Sequence, residues 1–264
     1  MAYNIVKTVK QGSFLANEDA EAPALAKVYS IHGKEHWHRW IERRPIQMLI
    51  LSLVMVLIGG LIEFIPTFLV KSNIPTIASV KPYTPLELEG RDIYVREGCY
   101  TCHSQMIRPF RSETARYGEY SKAGEFVYDH PFQWGSKRTG PDLHRVGGKY
   151  GDAWHYNHMY DPTSMSPGSI MPSYPWLFDS KIDYDVTPKK IAAMITLGVP
   201  YPAGYENKCV ADAKAQGEAI VANLKKSKVQ EISPLEPDDE IVALIAYMQR
   251  LGTDIKTKPV AETK

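Results

Sequence analysis

The residues best suited to chemistry are Cys99-Tyr100-Thr101-Cys102-His103, where two cysteines stand three apart and a histidine follows the second. This spacing is typical of covalent c-type haem attachment: Cys99 and Cys102 form thioether bonds to the porphyrin edge, and His103 reaches the iron from the proximal side. With 3 Cys and 8 His in 264 residues, chance placement gives only about 0.001 such motifs. The sequence therefore predicts one covalently bound haem c.

Cysteine pairs at this spacing also occur in zinc sites and in redox centres. A zinc site of this type needs a second pair of ligands, and the remaining cysteine, Cys209, lies more than a hundred residues further along the chain. The haem interpretation is therefore favoured. Cys209 is expected to behave as a small, buried apolar residue or an idle thiol.

A thioether on the opposite face of the iron raises the reduction potential, as an electron carrier to a strong oxidant requires. The segment PTSMSPGSIMPSYPWL (162–177) offers Met171 and Met165, and Met171 is the favoured iron ligand. His155 and His158 stand three apart on a predicted helix turn. They are alternative ligands for iron or another metal, although structural roles are favoured for both.

The composition excludes some functions. There are 31 Lys and Arg residues against 30 Asp and Glu residues, whereas nucleic-acid-binding proteins usually carry a marked basic excess. The hydrophobic fraction of 44% is enough for a folded core. The sequence shows no nucleophile, general base or substrate pocket, so we expect no enzyme activity from the chain on its own.

One apolar run, Ile46–Val70, has the length of a membrane span. Its 25 residues would extend about 37 Å as a helix, enough to cross a bilayer with some tilt. The predicted organisation is a cytoplasmic segment (1–45), a transmembrane helix (46–70), a linker (71–83) and a mono-haem cytochrome c domain (84–264).

The charges beside the apolar run predict its orientation. Five Lys or Arg residues lie within the twenty positions before the run and two within the twenty after it. This positive-inside bias places the N-terminus in the cytoplasm and the haem domain in the periplasm of a bacterial inner membrane. The segment with His32, His36, His38, Trp37 and Trp40 is expected to lie at the membrane interface.

Two helices are expected to frame the haem motif. Thr84-Pro85-Leu86-Glu87 is a capping box with proline at the first helical position, and it predicts a helix from residue 85 to residue 97. Residues 239–251 carry apolar side chains at amphipathic spacing and predict a second helix. Further helices are predicted over 187–197 and, mostly exposed, over 211–226, with Cys209 just upstream of the last.

This arrangement resembles the class I cytochrome c fold, whose first and last helices cross with a small residue and aromatic rings at the contact. The resemblance places Gly90, Tyr94 and Tyr247 at the crossing. The Gly-Pro-Asp-Leu loop containing Pro141 resembles the loop that runs past the proximal histidine, so the Pro141 carbonyl is expected to accept the ring N–H of His103. The predicted fold is mainly α, with one N-terminal transmembrane helix plus a class I cytochrome c-like helical domain with extended loops.

Basic residues crowd the segments that flank the haem motif. Arginine presents a planar fork that suits carboxylates, so one or two of these side chains are expected to pair with haem propionates. The residues concerned are Arg108, Arg111, Arg116, Lys137, Arg138 and Arg145.

Three stretches carry a closer resemblance: CYTCHSQMIRPF (99–110), YDHPFQWGSKRTGPDLHRVGGKYGDAWHYNHM (128–159) and SIMPSYPWL (169–177). They resemble the mono-haem subunit, subunit II, of cbb3-type cytochrome c oxidases. The resemblance covers roughly residues 42–204 and includes the membrane anchor. It implies an electron-transfer subunit of a terminal oxidase that reduces oxygen to water.

The resemblance also implies specific roles and partners. Cys99 and Cys102 correspond to the thioether anchors, His103 to the proximal ligand and Met171 to the distal ligand. The implied partners are a haem–copper catalytic subunit and a di-haem cytochrome c subunit. Two alternatives remain open: a haem enzyme such as a peroxidase, which needs an open iron position, and a mainly structural assembly subunit whose haem is incidental.

Overall fold

The computed structural model describes residues 2–12, 37–70, 75–229 and 234–256. The described part of the chain is mainly helical and contains no β-strand. It divides into two compact units, Met1–Leu69 and Val70–Lys264. The described helices are α1 (Ala2–Gln11), α2 (Trp37–Glu42), α3 (Pro45–Leu69), α4 (Pro85–Arg96), α5 (Arg111–Tyr117), α6 (Asp152–Tyr160), α7 (Pro162–Met165), α8 (Thr187–Thr196), α9 (Cys209–Lys226) and α10 (Glu240–Arg250).

Helix α3 is the predicted apolar span. Its window Pro45–Thr67 is long and apolar enough to cross a membrane, and no other helix in the described ranges meets that test. Pro45 occupies the first helical position, where a missing N–H costs nothing. The first unit also contains α1, a helix that the sequence pattern does not predict. His32 and His36, expected at the interface, lie outside the described residues.

Helix α4 begins at the predicted capping box. The Oγ of Thr84 accepts a hydrogen bond from the amide of Glu87 (3.3 Å), and the Glu87 carboxylate accepts one from the amide of Thr84 (2.8 Å). Pro85 follows at the first position of the helix. These two bonds satisfy amide groups that would otherwise lack partners at a helix start, so the predicted start is confirmed.

The predicted crossing of the first and last helices of the second unit is also present. A Cβ atom added to Gly90 in α4 would lie 1.9 Å from the carbonyl oxygen of Ala243 in α10. The two backbones are therefore in direct contact, which only glycine permits. The rings of Tyr94 and Tyr247 pack beside this contact with centroids 5.4 Å apart. All three residues named from the sequence lie at the crossing.

Helix α9 begins earlier than predicted, so Cys209 is its first residue and does not precede it. Cys209 is fully buried, as expected of a small apolar residue. Ala213, Gly217, Val221 and Leu224 extend a buried stripe along the same helix, spaced three or four residues apart. Most other side chains of α9 are exposed, as predicted.

Candidate functional site

The Cys-x-x-Cys-His motif directly follows α4. Gly98 has a φ of 70°, a left-handed conformation that glycine adopts without strain and that ends the helix. One tight turn, Cys99–Thr101, comes next. The carbonyl oxygen of Cys99 accepts hydrogen bonds from the amides of Cys102 (3.2 Å) and His103 (2.9 Å). Both thiols and the imidazole therefore belong to five consecutive residues whose backbone is folded into one tight turn.

Both thiols of the motif are free. Cys102 is exposed, whereas Cys99 is half-buried and packs against the main hydrophobic core. Burial, assisted by the charge of Glu97, raises the pKa of the Cys99 thiol to about 12. A thiol with a raised pKa is a poor nucleophile in disulfide exchange. No group of three or more His, Cys, Asp or Glu side chains that could hold a metal ion lies among the described residues, which disfavours the zinc interpretation of the pair.

The imidazole of His103 is oriented by a backbone carbonyl. Its Nδ1 lies 2.8 Å from the oxygen of Pro141, the contact expected from the sequence. A carbonyl oxygen only accepts, so Nδ1 carries the proton and Nε2 keeps its lone pair. Burial lowers the pKa of His103, which favours the neutral form that binds metals. Nε2 of the oriented, neutral ring is therefore available to bind an iron.

Gly140, which the sequence analysis did not single out, packs directly against this ring. A Cβ atom at Gly140 would lie 2.2 Å from Cε1, 2.7 Å from Nδ1 and 2.8 Å from Nε2 of His103. The amide of Gly140 also donates to the carbonyl of Cys102 (3.0 Å). Glycine at this position lets the loop approach the His103 ring closely. The carbonyl oxygen of the next residue, Pro141, can then accept a hydrogen bond from Nδ1.

Asp142 anchors the same loop from inside, and it is a second residue that sequence reasoning missed. Its side chain is fully buried. One carboxylate oxygen accepts from Ser104 Oγ (2.6 Å) and from the amide of Met106 (2.9 Å), and the other accepts from the amide of His144 (2.9 Å). Asp142 therefore ties the loop to the backbone that follows His103.

Three of the arginines near the motif are held by protein carboxylates. Arg138 contacts Glu113 at 2.8 Å, Arg108 pairs with the same carboxylate, and Arg145 contacts Glu125 at 2.7 Å. Arg138 and, to a lesser extent, Arg108 lower the pKa of Glu113 to about 2. Arg138 also lies 3.4 Å from the Asp142 carboxylate, so three carboxylates of the protein face these three arginines.

Met171 lies in the segment that returns to the motif. Its side chain is half-buried and packs against the main core, as do Cys99 and Tyr174. Burial, followed by the nearby thiols of Cys99 and Cys102, raises the pKa of Tyr174 to about 12, so this segment lies beside the motif. Among the described residues, Met165 is not part of that packing.

Helix α6 also borders the site. The amide of Tyr174 donates to the carbonyl of Met159 (2.9 Å), which joins α6 to the Met171 segment. Burial, followed by the proximity of His103, lowers the pKa of His158, so His158 lies near the motif. Both ring nitrogens of His155 and Nδ1 of His158 are buried and have no hydrogen-bond partner among the described residues.

A haem suits this set of residues. The free thiols would provide two points of attachment, and His103 Nε2 and the Met171 sulfur would provide a nitrogen and a sulfur ligand of the kind found in cytochromes c. The helical domain, its site and the membrane-length helix define a membrane-anchored cytochrome.

The chain belongs to the family described as cytochrome C oxidase, mono-heme subunit/FixO, whose model matches residues 38–255. This match confirms the resemblance to the mono-haem subunit of cbb3-type oxidases. It extends beyond the stretch recognised in the sequence and includes both α3 and α10. A comparison with curated proteins found no match.

Proposed function

We propose that the chain carries one covalently bound haem c and relays single electrons to the haem–copper catalytic subunit of a cbb3-type terminal oxidase. Cys99 and Cys102 form the thioether bonds, His103 is the proximal ligand and Met171 is the distal ligand. When bound, the haem supplies the one-electron redox chemistry of its iron. The chain is not an enzyme on its own, and its contribution is to position the haem and tune its potential.

The observation that carries this proposal is the contact between His103 Nδ1 and Pro141 O. An oriented imidazole with Nδ1 protonated has Nε2 available as a ligand, and the hydrogen bond from Nδ1 to the carbonyl raises the basicity of that ligand. This orientation occurs one residue after two free thiols. A histidine with only a packing role does not require that combination.

The surroundings of Met171 support its role as the second ligand. Its sulfur belongs to a half-buried side chain that packs on the same core as Cys99. A thioether ligand raises the haem potential, which suits delivery of electrons to an oxygen-reducing centre. Met171 would also fill the iron position that a peroxidase must leave open, so this arrangement favours a carrier over the alternative haem enzyme.

The proposed topology follows from charge and family membership. The basic residues before α3 favour an N-terminus in the cytoplasm, which leaves the haem domain in the periplasm of a bacterial inner membrane. The family is a subunit of a cytochrome c oxidase. We therefore assign as partners the haem–copper catalytic subunit and a di-haem cytochrome c subunit.

Purification of the native membrane complex provides the first test. The intact mass of this subunit should exceed that of its polypeptide by one haem, and denaturation in acid should not remove the addition. A native subunit with the bare polypeptide mass would contradict covalent attachment. Co-purification of the two partner subunits tests the assignment of the complex in the same sample.

Two methionine variants test the distal ligand. Met171→Leu should abolish the methionine–iron charge-transfer band, whereas the matched variant Met165→Leu should retain it, since Met165 lies outside the core packing. A band that survives in Met171→Leu would contradict the assignment. A high-spin resting iron with peroxide turnover in the unmodified protein would favour the enzyme alternative.

A third variant separates relay from assembly. Met171→His should lower the haem potential, and oxidase turnover should fall if electrons pass through this haem. Unchanged turnover in an intact complex with a lowered potential would support the assembly-subunit alternative.

A further inference from the structure

Helix α1 (Ala2–Gln11) carries an exposed apolar stripe. Val9 lies three positions after Val6 and four after Ile5, so the three side chains share one side of the helix. Ile5 is 58% exposed, Val6 51% and Val9 79%. The other described side chains of α1 are exposed as well. Within the described part of the chain, therefore, nothing covers this apolar side.

A helix as short as α1 needs a surface to pack against. It has ten residues, a length at which isolated helices are marginal in water, and most helices gain their stability by packing an apolar side. Since the stripe is exposed, the surface that stabilises α1 comes from outside the described residues.

The charges of α1 favour an anionic surface. Lys7 and Lys10 are its charged side chains, and the helix contains no Asp or Glu. The Nζ of Lys7 lies 5.8 Å from the centre of the Tyr3 ring. Tyrosine rings and the long stems of lysine are both suited to the headgroup level of a bilayer. Each lysine near an anionic leaflet raises the binding equilibrium about fivefold.

The chain itself brings α1 to a membrane. Helix α3 is long and apolar enough to cross a bilayer, and its first residue, Pro45, lies 34 positions after Gln11. An extended chain of that length reaches about 110 Å, whereas α1 laid flat needs about 15 Å. The family match begins at residue 38, so α1 lies outside the part shared with the oxidase subunits. A tethered bilayer is therefore favoured over a protein surface common to that family.

We propose that α1 lies along the leaflet in which α3 begins, with Ile5, Val6 and Val9 inserted among the acyl chains and Lys7 and Lys10 at anionic phospholipid headgroups. Short helices with an apolar side and a basic polar side bind bilayers in this way. The contact is additional to the transmembrane helix and does not depend on the haem.

Spin labels on the full-length, haem-loaded chain in nanodiscs test this orientation. A nitroxide is attached at Val9→Cys and, as the matched control, at Gln11→Cys, which lies about 200° further around the helix. The nanodiscs contain phosphatidylcholine and phosphatidylglycerol. The collision rates of each label are measured with oxygen, which dissolves in lipid, and with a water-soluble nickel chelate.

The ratio of oxygen to nickel collisions should be severalfold higher at residue 9 than at residue 11. Equal ratios at the two positions overturn the proposal. A label at residue 9 that is shielded from both reagents also overturns it, because a protein surface would then cover α1. The measurement is repeated on the complex with which the chain purifies, so that the partner subunits are present.

Matched charge variants separate insertion from simple attraction. With the label at Ile5→Cys, the substitution Val9→Glu should lower the collision ratio to the value at residue 11. Gln11→Glu adds the same charge on the opposite side and should leave the ratio high. An Ile5 ratio that is unaffected by Val9→Glu overturns the insertion of the stripe.

Lipid composition tests the lysines. In nanodiscs of phosphatidylcholine alone, the ratio at residue 9 should fall, because Lys7 and Lys10 each lose an attraction of about fivefold. An unchanged ratio overturns their proposed contact with anionic headgroups.

The unmodified chain is the background control and keeps the two proposals distinguishable. Thioether bonds would occupy Cys99 and Cys102, and Cys209 is fully buried, so this chain should take up no nitroxide. Label on Cys99 or Cys102, located by mass after digestion, contradicts the proposed function. The ratios at residues 9 and 11 decide the membrane contact of α1 independently of that result.

Discussion

Replacing Gly140 with alanine adds a single methyl group against the face of the His103 ring. The backbone of Gly140 does not adopt a left-handed conformation, so alanine brings no conformational strain. The new Cβ would nevertheless lie 2.2 Å from Cε1 of His103 and 2.7 Å from its Nδ1. Ordinary carbon–carbon contacts begin near 3.5 Å, so the ring or the loop must move by roughly 1 Å.

A movement of that size breaks the bond between His103 Nδ1 and Pro141 O, which is 2.8 Å long. Overpacking costs about 1–3 kcal/mol and the lost hydrogen bond about 0.5–1.5 kcal/mol. We therefore expect Gly140→Ala to destabilise the haem-loaded domain by about 2–4 kcal/mol, equivalent to roughly 6–12 °C in melting temperature for a domain of this size. The haem potential should also change, because the ligand loses the bond that orients it.

Thermal unfolding followed by haem absorption, together with a redox titration, measures both effects. Gly151→Ala is the matched control, because Gly151 also lies outside the left-handed region (φ −75°) and a Cβ there meets no atom within 4 Å. The control should leave the potential unchanged. Equal melting temperatures and potentials for Gly140→Ala and the unmodified protein would refute the packing argument for His103.

Three further predictions concern the frame of the site. Gly90→Ala should destabilise the domain by about 3 kcal/mol or more in urea unfolding, because its Cβ overlaps a backbone carbonyl of the facing helix. Asp142→Asn should cost about 2–4 kcal/mol in the same assay, since an amide nitrogen cannot accept from the donors that the carboxylate satisfies; an unchanged urea midpoint would contradict its anchoring role. The pKa of Glu113 is about 2 in the folded protein and near 4.3 when unfolded, so its contribution to stability is present above about pH 5 and is lost as the pH falls through 2. Glu113→Gln should flatten the pH dependence of the unfolding free energy over that window, and a slope equal to that of the unmodified protein would count against the pairing with Arg138.

The parts of the fold that sequence predicts well are those set by short-range chemistry. The capping box at Thr84 and the proline after it define the start of α4 from four consecutive residues. The apolar run predicts α3 because a helix that crosses a bilayer needs about 20 consecutive, mostly apolar residues. The crossing of α4 and α10 was also predicted, although through its resemblance to a known fold, since nothing local to Gly90 indicates contact with a helix about 150 residues away.

The roles of the residues that sequence reasoning missed depend on contacts between separate parts of the chain, which a local sequence pattern does not reveal. Gly140 and Asp142 flank the proline that was recognised, yet their roles depend on where His103 and Ser104 lie in three dimensions. Their place in the Gly-Pro-Asp-Leu loop was the available signal. The unpartnered nitrogens of His155 were beyond prediction, because a missing hydrogen bond becomes visible only when every neighbour has been placed.

The buried carboxylate of Asp142 has a consequence for the speed of electron transfer. It ties the Pro141 loop to the chain beyond His103, which restricts movement of the imidazole relative to its carbonyl partner. A redox centre whose surroundings keep the same geometry in both oxidation states has little reorganisation energy to overcome, since its dipoles are aligned in advance. In the proposed electron carrier, a side chain that never touches the iron would therefore help to keep the reorganisation energy of electron transfer low.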